Sequence, residues 1–268
     1  MITLPTQKNK TLAEIHPTAL VNPGAELGND VRISPFSIIE DKVIIGNNTW
    51  IGSNVLIVKG TRIGDNCEIH HGAILGAAPQ DIKYHSEETT LEIGDNTIIR
   101  EYCTLNRGSI DRFKTVIGSN CFLMTYVHVA HDCILSDHVI IANSVNMAGH
   151  VEIQDYVGIG GLVPIHQFVR IGKHAFIGGG FRIPKDIPPF LLAAGEPLEY
   201  AGTNSVGLRR RNFSKEAINR ISKAYKILFR SKLNVSQAVS RIKEEFEVID
   251  EIKEIIDFIE SSERGILK

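Results

Sequence analysis

The stretch Tyr126-Val-His-Val-Ala-His-Asp-Cys133 sets two histidines three residues apart and an aspartate directly after the second. Those types at that spacing allow three readings. His131 can serve as a general base near neutral pH, with Asp132 fixing its tautomer. Alternatively, His128 and His131 with a later histidine could ligate a metal. The third reading is that they are polar residues on a solvated edge. Gly149-His150 and His166-Gln167 carry further candidate groups downstream.

A strict period positions all of these. Stepping by six from Ile15 to Ile183 visits 29 positions, and 26 are aliphatic; the exceptions are Asp81, Glu87 and Asp111. The residue after the aliphatic is often glycine, as at Gly28, Gly46, Gly64 and Gly118, which suggests a tight corner. The fifth residue of each hexad is small or β-branched, and Cys67, Cys103, Cys121 and Cys133 all fall there. The cysteines therefore read as small buried hydrophobes.

Hexad repeats are the signature of a parallel β-helix. In this respect the chain resembles hexapeptide-repeat proteins, which form a left-handed, three-sided prism with three hexads per coil. That geometry implies that residues 18 apart stack at about 4.8 Å. Gly149 then lies one coil above His131, His150 above Asp132, and His166-Gln167 one coil further. A base, a carboxylate, a backbone N–H able to hold an oxyanion and three further polar side chains converge on one corner, which are the parts of an acyl transfer. Isolated histidines such as His16, His70, His138 and His174 read as water-facing corner residues. A prism over residues 1–190 is expected, with loops near 76–92 and 106–116 where the aliphatic phase lapses.

Beyond Ile183 the prolines of IPKDIPPF close the repeat. Ser214 can cap a helix whose apolar residues recur at Ile218, Ile221, Tyr225 and Leu228, and NVSQAVSRIKEEF and IDEIKEIIDFIESS read as two more amphipathic helices. Residues 191–268 are thus expected to form a small α-helical C-terminal domain.

Composition excludes several classes. Of 268 residues, 43% are hydrophobic and 22% charged, with a net charge of −2, which is ordinary for a soluble protein and gives no general basic surface for nucleic acid. No apolar run is long enough to span a membrane, and the first ten residues lack a signal-peptide core. A cytoplasmic location is the expectation. Residues 1–10 precede the repeat and are expected to be disordered or draped on the first coil.

The segments IHPTALV, APQDIKY, NRGS, HVAHDC, NMAGHV, GLVPIHQFVRIG, DIPPF and VGLRRRNFS together resemble the acyl-(acyl-carrier-protein)–UDP-N-acetylglucosamine O-acyltransferases, which catalyse the first step of lipid A biosynthesis, over nearly the whole chain. The resemblance implies transfer of a 3-hydroxyacyl chain from acyl carrier protein to the glucosamine 3-position of UDP-N-acetylglucosamine. It makes His131 the general base, Asp132 its orienting group and the Gly149 N–H the oxyanion donor. It assigns His128, His150, His166 and Gln167 to positioning donor and acceptor, and Asp81 and Lys83 to an acceptor-binding loop supplied by a neighbouring subunit of a homotrimer. Counted on the unbroken period, Asp81 and Lys83 lie about three coils, roughly 14 Å, from His131 of the same chain. Asn204 and Arg210 match residues near the nucleotide, Arg210 by its forked donors, and Gly179 matches the acyl-chain ruler. No metal or cofactor is implied, since the acyl group arrives on the carrier's phosphopantetheine. Val206 stands where well-known members carry glutamate, removing a possible ribose contact.

Three alternatives remain open at this stage. A related N-acyltransferase of the same pathway would need a nucleotide-binding domain before the hexads, and these begin at Ile15. A non-enzymatic β-helix scaffold would not need His131. A small acetyl-coenzyme A transferase would usually have a shorter prism without APQDIKY. Zinc held by His128, His131 and His150, as in carbonic-anhydrase-like hexapeptide proteins, leaves Asp132 unexplained.

Overall fold

Most hexads contribute a two-residue strand whose second residue points inward, so Arg32–Ile33, Ile38–Ile39 and Ile44–Ile45 lie on three successive faces. The description is a computed structural model covering residues 12–247 and 249–267. The expectation for residues 1–10 lies outside the described range. Strands one coil apart pair in parallel, Glu14 opposite Arg32 and Ile15 opposite Ile33. The result is a left-handed parallel β-helix with three sheets. The first face runs from Glu14–Ile15 to Phe176–Ile177, the second from Leu20–Val21 to Pro164–Ile165, and the third from Glu26–Leu27 to Arg170–Ile171.

Inside, stacked aliphatics such as Ile51, Ile69, Ile99 and Leu123 are fully buried. Each contributes about 1.5–3 kcal/mol of transfer free energy. Truncating a central rung, Leu123→Ala for instance, would cost about 2–5 kcal/mol because the rigid coils above and below cannot close the cavity. The four cysteines are free and buried in this core. Burial pushes the Cys133 thiol up to about 12, in keeping with their reading as hydrophobes.

The corners differ from expectation in one physical respect. The glycines after the aliphatics are not the left-handed residues; those stand two positions later and are mostly not glycine, as at Asp30, Asn48, Tyr102, Asp132, His150 and His174. Glycine is needed there because successive coils nearly touch: a Cβ on Gly28 would lie 2.7 Å from the Asn47 nitrogen, and one on Gly64 2.8 Å from the Asp95 nitrogen. The constraint is space, not dihedral angle.

Two loops leave the prism, and both are shorter than expected. The second-face strand Ile74–Ala77 and the third-face strand Thr90–Ile93 flank the first, leaving 78–89, while Thr104–Asn106 and Lys114–Ile117 flank the second, leaving 107–113. Their insertion lengthens the register from 18 to 30 between Ile74 and Thr104, and to 24 between Thr104 and His128.

The first face continues past residue 190. Leu191–Ala194 pairs in parallel with Phe176–Ile177 and then antiparallel with Glu199–Thr203, so these residues extend the sheet before the helices begin. Among the described residues four helices follow: α1 (Ser205–Arg210), α2 (Lys215–Arg230), α3 (Val235–Glu245) and α4 (Asp250–Glu260). Ser214 caps α2 by accepting the Ala217 N–H, as its position suggested, and Asn234 and Gln237 form a reciprocal capping box on α3. The α2 face bearing Ile221, Ala224, Tyr225 and Leu228 is buried, with the Tyr225 hydroxyl donating to the Pro189 carbonyl. Among the described residues no helix is long and apolar enough to cross a membrane.

Candidate active site

The corner between the second and third faces is built from three stacked turns. His131 and Asp132 follow the second-face strand His128–Val129. One coil on, Gly149 and His150 follow Asn146–Met147, and His166 and Gln167 follow Pro164–Ile165 after that. The His150 N–H donates to the His131 carbonyl, and the Phe168 N–H to the Gly149 carbonyl, which fixes the stacking.

Asp132 anchors the cluster. It has no exposed surface, and a bare carboxylate there would be costly. Its Oδ2 accepts from the Ser109 hydroxyl at 2.6 Å and faces His131 Nδ1 at 2.7 Å, while Oδ1 accepts the Ser109 N–H at 2.9 Å. Burial alone would raise its pKa, but the hydrogen bonds from His131 and Ser109 outweigh it and hold the carboxyl down to about 2. Asp132 is therefore ionised and accepts only, so His131 carries its proton on Nδ1 and leaves Nε2 free to take one. The same hydrogen bond raises the His131 pKa against the opposing effect of burial.

His131 lies over Gly149. Among the described residues, no backbone carbonyl accepts the Gly149 N–H. His150 packs edge-on against His131 at 5.2 Å and face-on against Phe168 at 4.6 Å. Burial lowers its pKa, so it is a neutral neighbour. His128 projects from the second face and meets Thr104 Oγ1 through Nδ1 at 2.7 Å.

His131, Asp132 and His150 offer three ligand atoms within 4.8 Å of one another. The ligand types suit zinc, but both Asp132 oxygens are already engaged, and His128 is bound to Thr104 and stands apart from that trio. The arrangement serves a base and its orienting carboxylate better than a ligand set.

The stacking thus brings together His131, Asp132, Gly149 and His150, with His166 and Gln167 one coil away. Asp81 is nearer than the unbroken period suggests. The lengthened register puts its loop two coils from His131, about 10 Å along the axis. Its charge contributes to raising the His131 pKa within one chain. Lys83 shares the loop, its N–H donating to Asp81 Oδ1. Asn204 and Arg210 lie elsewhere. Asn204 caps α1 and donates to the His174 carbonyl, on the corner between the third and first faces, and Arg210 is exposed in the last turn of α1. Gly179 sits on the remaining corner, packed on Gly161. His16 is exposed as expected, but His174 is not: it is 9% exposed, stacked between Tyr156 and Phe190, and burial pushes its pKa down to about 4.

Ser109 was not singled out by sequence. The clue available was the lapse of the aliphatic phase at Asp111, which marks the loop that returns to Asp132.

The model of bacterial transferase hexapeptide repeats matches residues 42–77 and 114–149. The model of UDP N-acetylglucosamine O-acyltransferase domain 2 matches residues 186–267. The acyl-(acyl-carrier-protein)–UDP-N-acetylglucosamine O-acyltransferase of Thermodesulfovibrio yellowstonii is 49% identical over 257 residues, covering 95% of this chain and 99% of the relative. That of Sulfurihydrogenibium is 51% identical over 256 residues, covering 95% and 94%. The crystal structure of the UDP-N-acetylglucosamine acyltransferase from Bacteroides fragilis superposes with a TM-score of 0.93 at 46% identity, covering 94% of this chain and 99% of that one.

Proposed function

The chain belongs to the acyl-(acyl-carrier-protein)–UDP-N-acetylglucosamine O-acyltransferase family, and from that we propose that it transfers a 3-hydroxyacyl chain from acyl carrier protein to the glucosamine 3-position of UDP-N-acetylglucosamine in lipid A biosynthesis. His131 Nε2 takes the proton of the sugar 3-hydroxyl as its oxygen attacks the thioester carbonyl. The carbonyl oxygen gains the electron pair and is held by the Gly149 N–H. Collapse breaks the C–S bond, and the imidazolium returns its proton to the departing phosphopantetheine thiol. Asp132 keeps the ring oriented and favours the imidazolium throughout. The observation that carries this reading is the buried Ser109–Asp132–His131 chain of hydrogen bonds ending over a free glycine N–H. Neither a metal nor a bound cofactor enters the scheme.

Asp81, Lys83, His128, His150, His166 and Gln167 position the two substrates in this reading, and Asn204 and Arg210 meet the nucleotide. Val206 is 52% exposed beside them and offers the ribose no carboxylate. Within one chain Asn204 and Arg210 occupy a different corner from His131. Ile82, between Asp81 and Lys83, is 98% exposed, an apolar side chain at a loop tip that none of the described residues covers. Both features favour a homotrimer with sites between subunits, working in the cytoplasm where acyl carrier protein and the nucleotide sugar are made.

Mass spectrometry of products formed from UDP-N-acetylglucosamine and a mixture of 3-hydroxyacyl carrier proteins tests the reaction; absence of an O-acylated sugar nucleotide overturns it. Mixing His131→Ala with Lys83→Ala chains tests site sharing. Partial recovery of activity is expected, and none in verified mixed assemblies removes the shared site.

A further inference from the structure

Residues 261–267 run back to the corner that carries His166. Asp186, almost fully buried, ties them down: its Oδ2 accepts from the Ser262 hydroxyl at 2.7 Å, its N–H donates to the Gly265 carbonyl, and its own carbonyl accepts the Leu267 N–H. Ile266 and Leu267 are buried, so this tail is a fixed strut. It carries Arg264 to the upper end of the corner. There Arg264 Nε donates to the Pro184 carbonyl at 2.9 Å, and Nη2 lies 2.8 Å from His166 Nδ1.

We propose that Arg264 is a positioning residue of the transferase site, acting through His166 by fixing it as the Nε2–H tautomer. A guanidinium only donates, so the His166 Nδ1 it touches must be an acceptor, and the ring proton sits on Nε2. The Gln167 carbonyl, 3.1 Å from the same nitrogen, would favour the opposite tautomer. A proton on Nδ1 would then face a donor at 2.8 Å, so the shorter, charged contact prevails. With Nδ1 occupied by the guanidinium, His166 presents its Nε2–H as a donor toward the substrates. Arginine suits the task because its two arms span the Pro184 carbonyl and the imidazole together.

The inference rests on the function proposed above for its kinetic consequence, though not for the tautomer. Arg264→Met keeps the stem and removes the donors. Losing a hydrogen bond from a charged group should lower kcat/KM by about tenfold or more, chiefly through KM. In a His166→Ala background the same change should cost nothing further, and Arg264→Lys should fall between wild type and Arg264→Met. Nitrogen-15 spectra of histidine-labelled protein, with His166 assigned by its absence in His166→Ala, should show a single Nε2–H tautomer that becomes mixed in Arg264→Met. Equal kinetics for wild type and Arg264→Met, a full additional loss in the His166→Ala background, or an unchanged tautomer would each overturn the proposal. A wild-type enzyme that transfers no acyl group would instead sink the functional reading and leave the tautomer test standing.

Discussion

The imidazole of His131 covers Gly149 so closely that a Cβ on the glycine would stand 2.7 Å from Cε1 and 2.8 Å from Nε2 of the ring. The glycine there has no left-handed φ, so it is held by contact with the imidazole and not by dihedral strain. Gly149→Ala should therefore fold, at a cost of about 1–3 kcal/mol for overpacking, while pushing the ring off its line to the substrate. A displacement of that kind costs on the order of 100-fold in turnover. Stopped assays beside thermal melting check it, and a folded Gly149→Ala enzyme with wild-type kcat would show that the contact is incidental.

Removing the imidazole proposed as the base should be more severe. His131→Ala is expected to lose about 10²–10⁴ in kcat and to flatten the acid limb of the kcat/KM profile. Asp132→Asn has a different signature. The Asp132 hydrogen bond is the main cause of the raised His131 pKa, so the amide should lower that pKa and move the acid limb to lower pH while reducing the plateau. An acid limb that stays where it is would mean that another group titrates. Ser109→Ala, which removes a 2.6 Å bond to the same carboxylate, leaves that carboxylate more basic and should not move the acid limb to lower pH, so its loss of activity should appear in the plateau alone.

His174 makes stability depend on pH away from the active site. Its folded pKa of about 4 lies below the ordinary 6.5, because burial disfavours the charged ring. Between those values the unfolded chain binds the proton and the folded chain does not. Stability is thus complete above about pH 6.5 and falls as the pH drops toward 4, by roughly 3 kcal/mol in all. Its buried Nδ1 has no partner among the described residues, and the ring lies in a column of stacked aromatics. His174→Phe should raise the melting temperature at pH 5 more than at pH 8; equal shifts would dismiss His174 as the source.

Gly179 makes two demands on a substitution. In the reading that makes Gly179 the acyl-chain ruler, its missing side chain admits a long 3-hydroxyacyl donor, and Gly179→Met should favour shorter ones. Excluding four methylenes at about 0.8 kcal/mol each changes relative kcat/KM by roughly two orders of magnitude. A Cβ there would also stand 3.0 Å from the Gly161 carbonyl oxygen, so Gly179→Ala serves as the steric control and should leave the chain-length profile in place. Superimposable profiles for wild type and Gly179→Met would remove Gly179 as the ruler. Phe181, large at an otherwise small interior position and packed against Gly178, accounts for part of the glycine run without reference to substrate.

A period of six was enough to determine the prism, because every inward position is chosen by the same burial and repeats at the same spacing whatever the surroundings. It was also enough to stack His131 under Gly149 and Asp132 under His150, since no insertion interrupts the chain between them. It could not determine what the two loops do. Their residues follow no period, and their insertions shift the register by amounts that depend on where the strands resume. Tertiary structure alone therefore brought Ser109 to Asp132 and Asp81 nearer to His131 than the period implies. It also decided that His174, legible as one more corner histidine, is buried, because the chain after Ile183 returns to lay Phe190 and Phe213 over it. Arg264 is the extreme case: 98 residues separate it from His166, and only the docking of α4 and the tail on the last coils brings the two together.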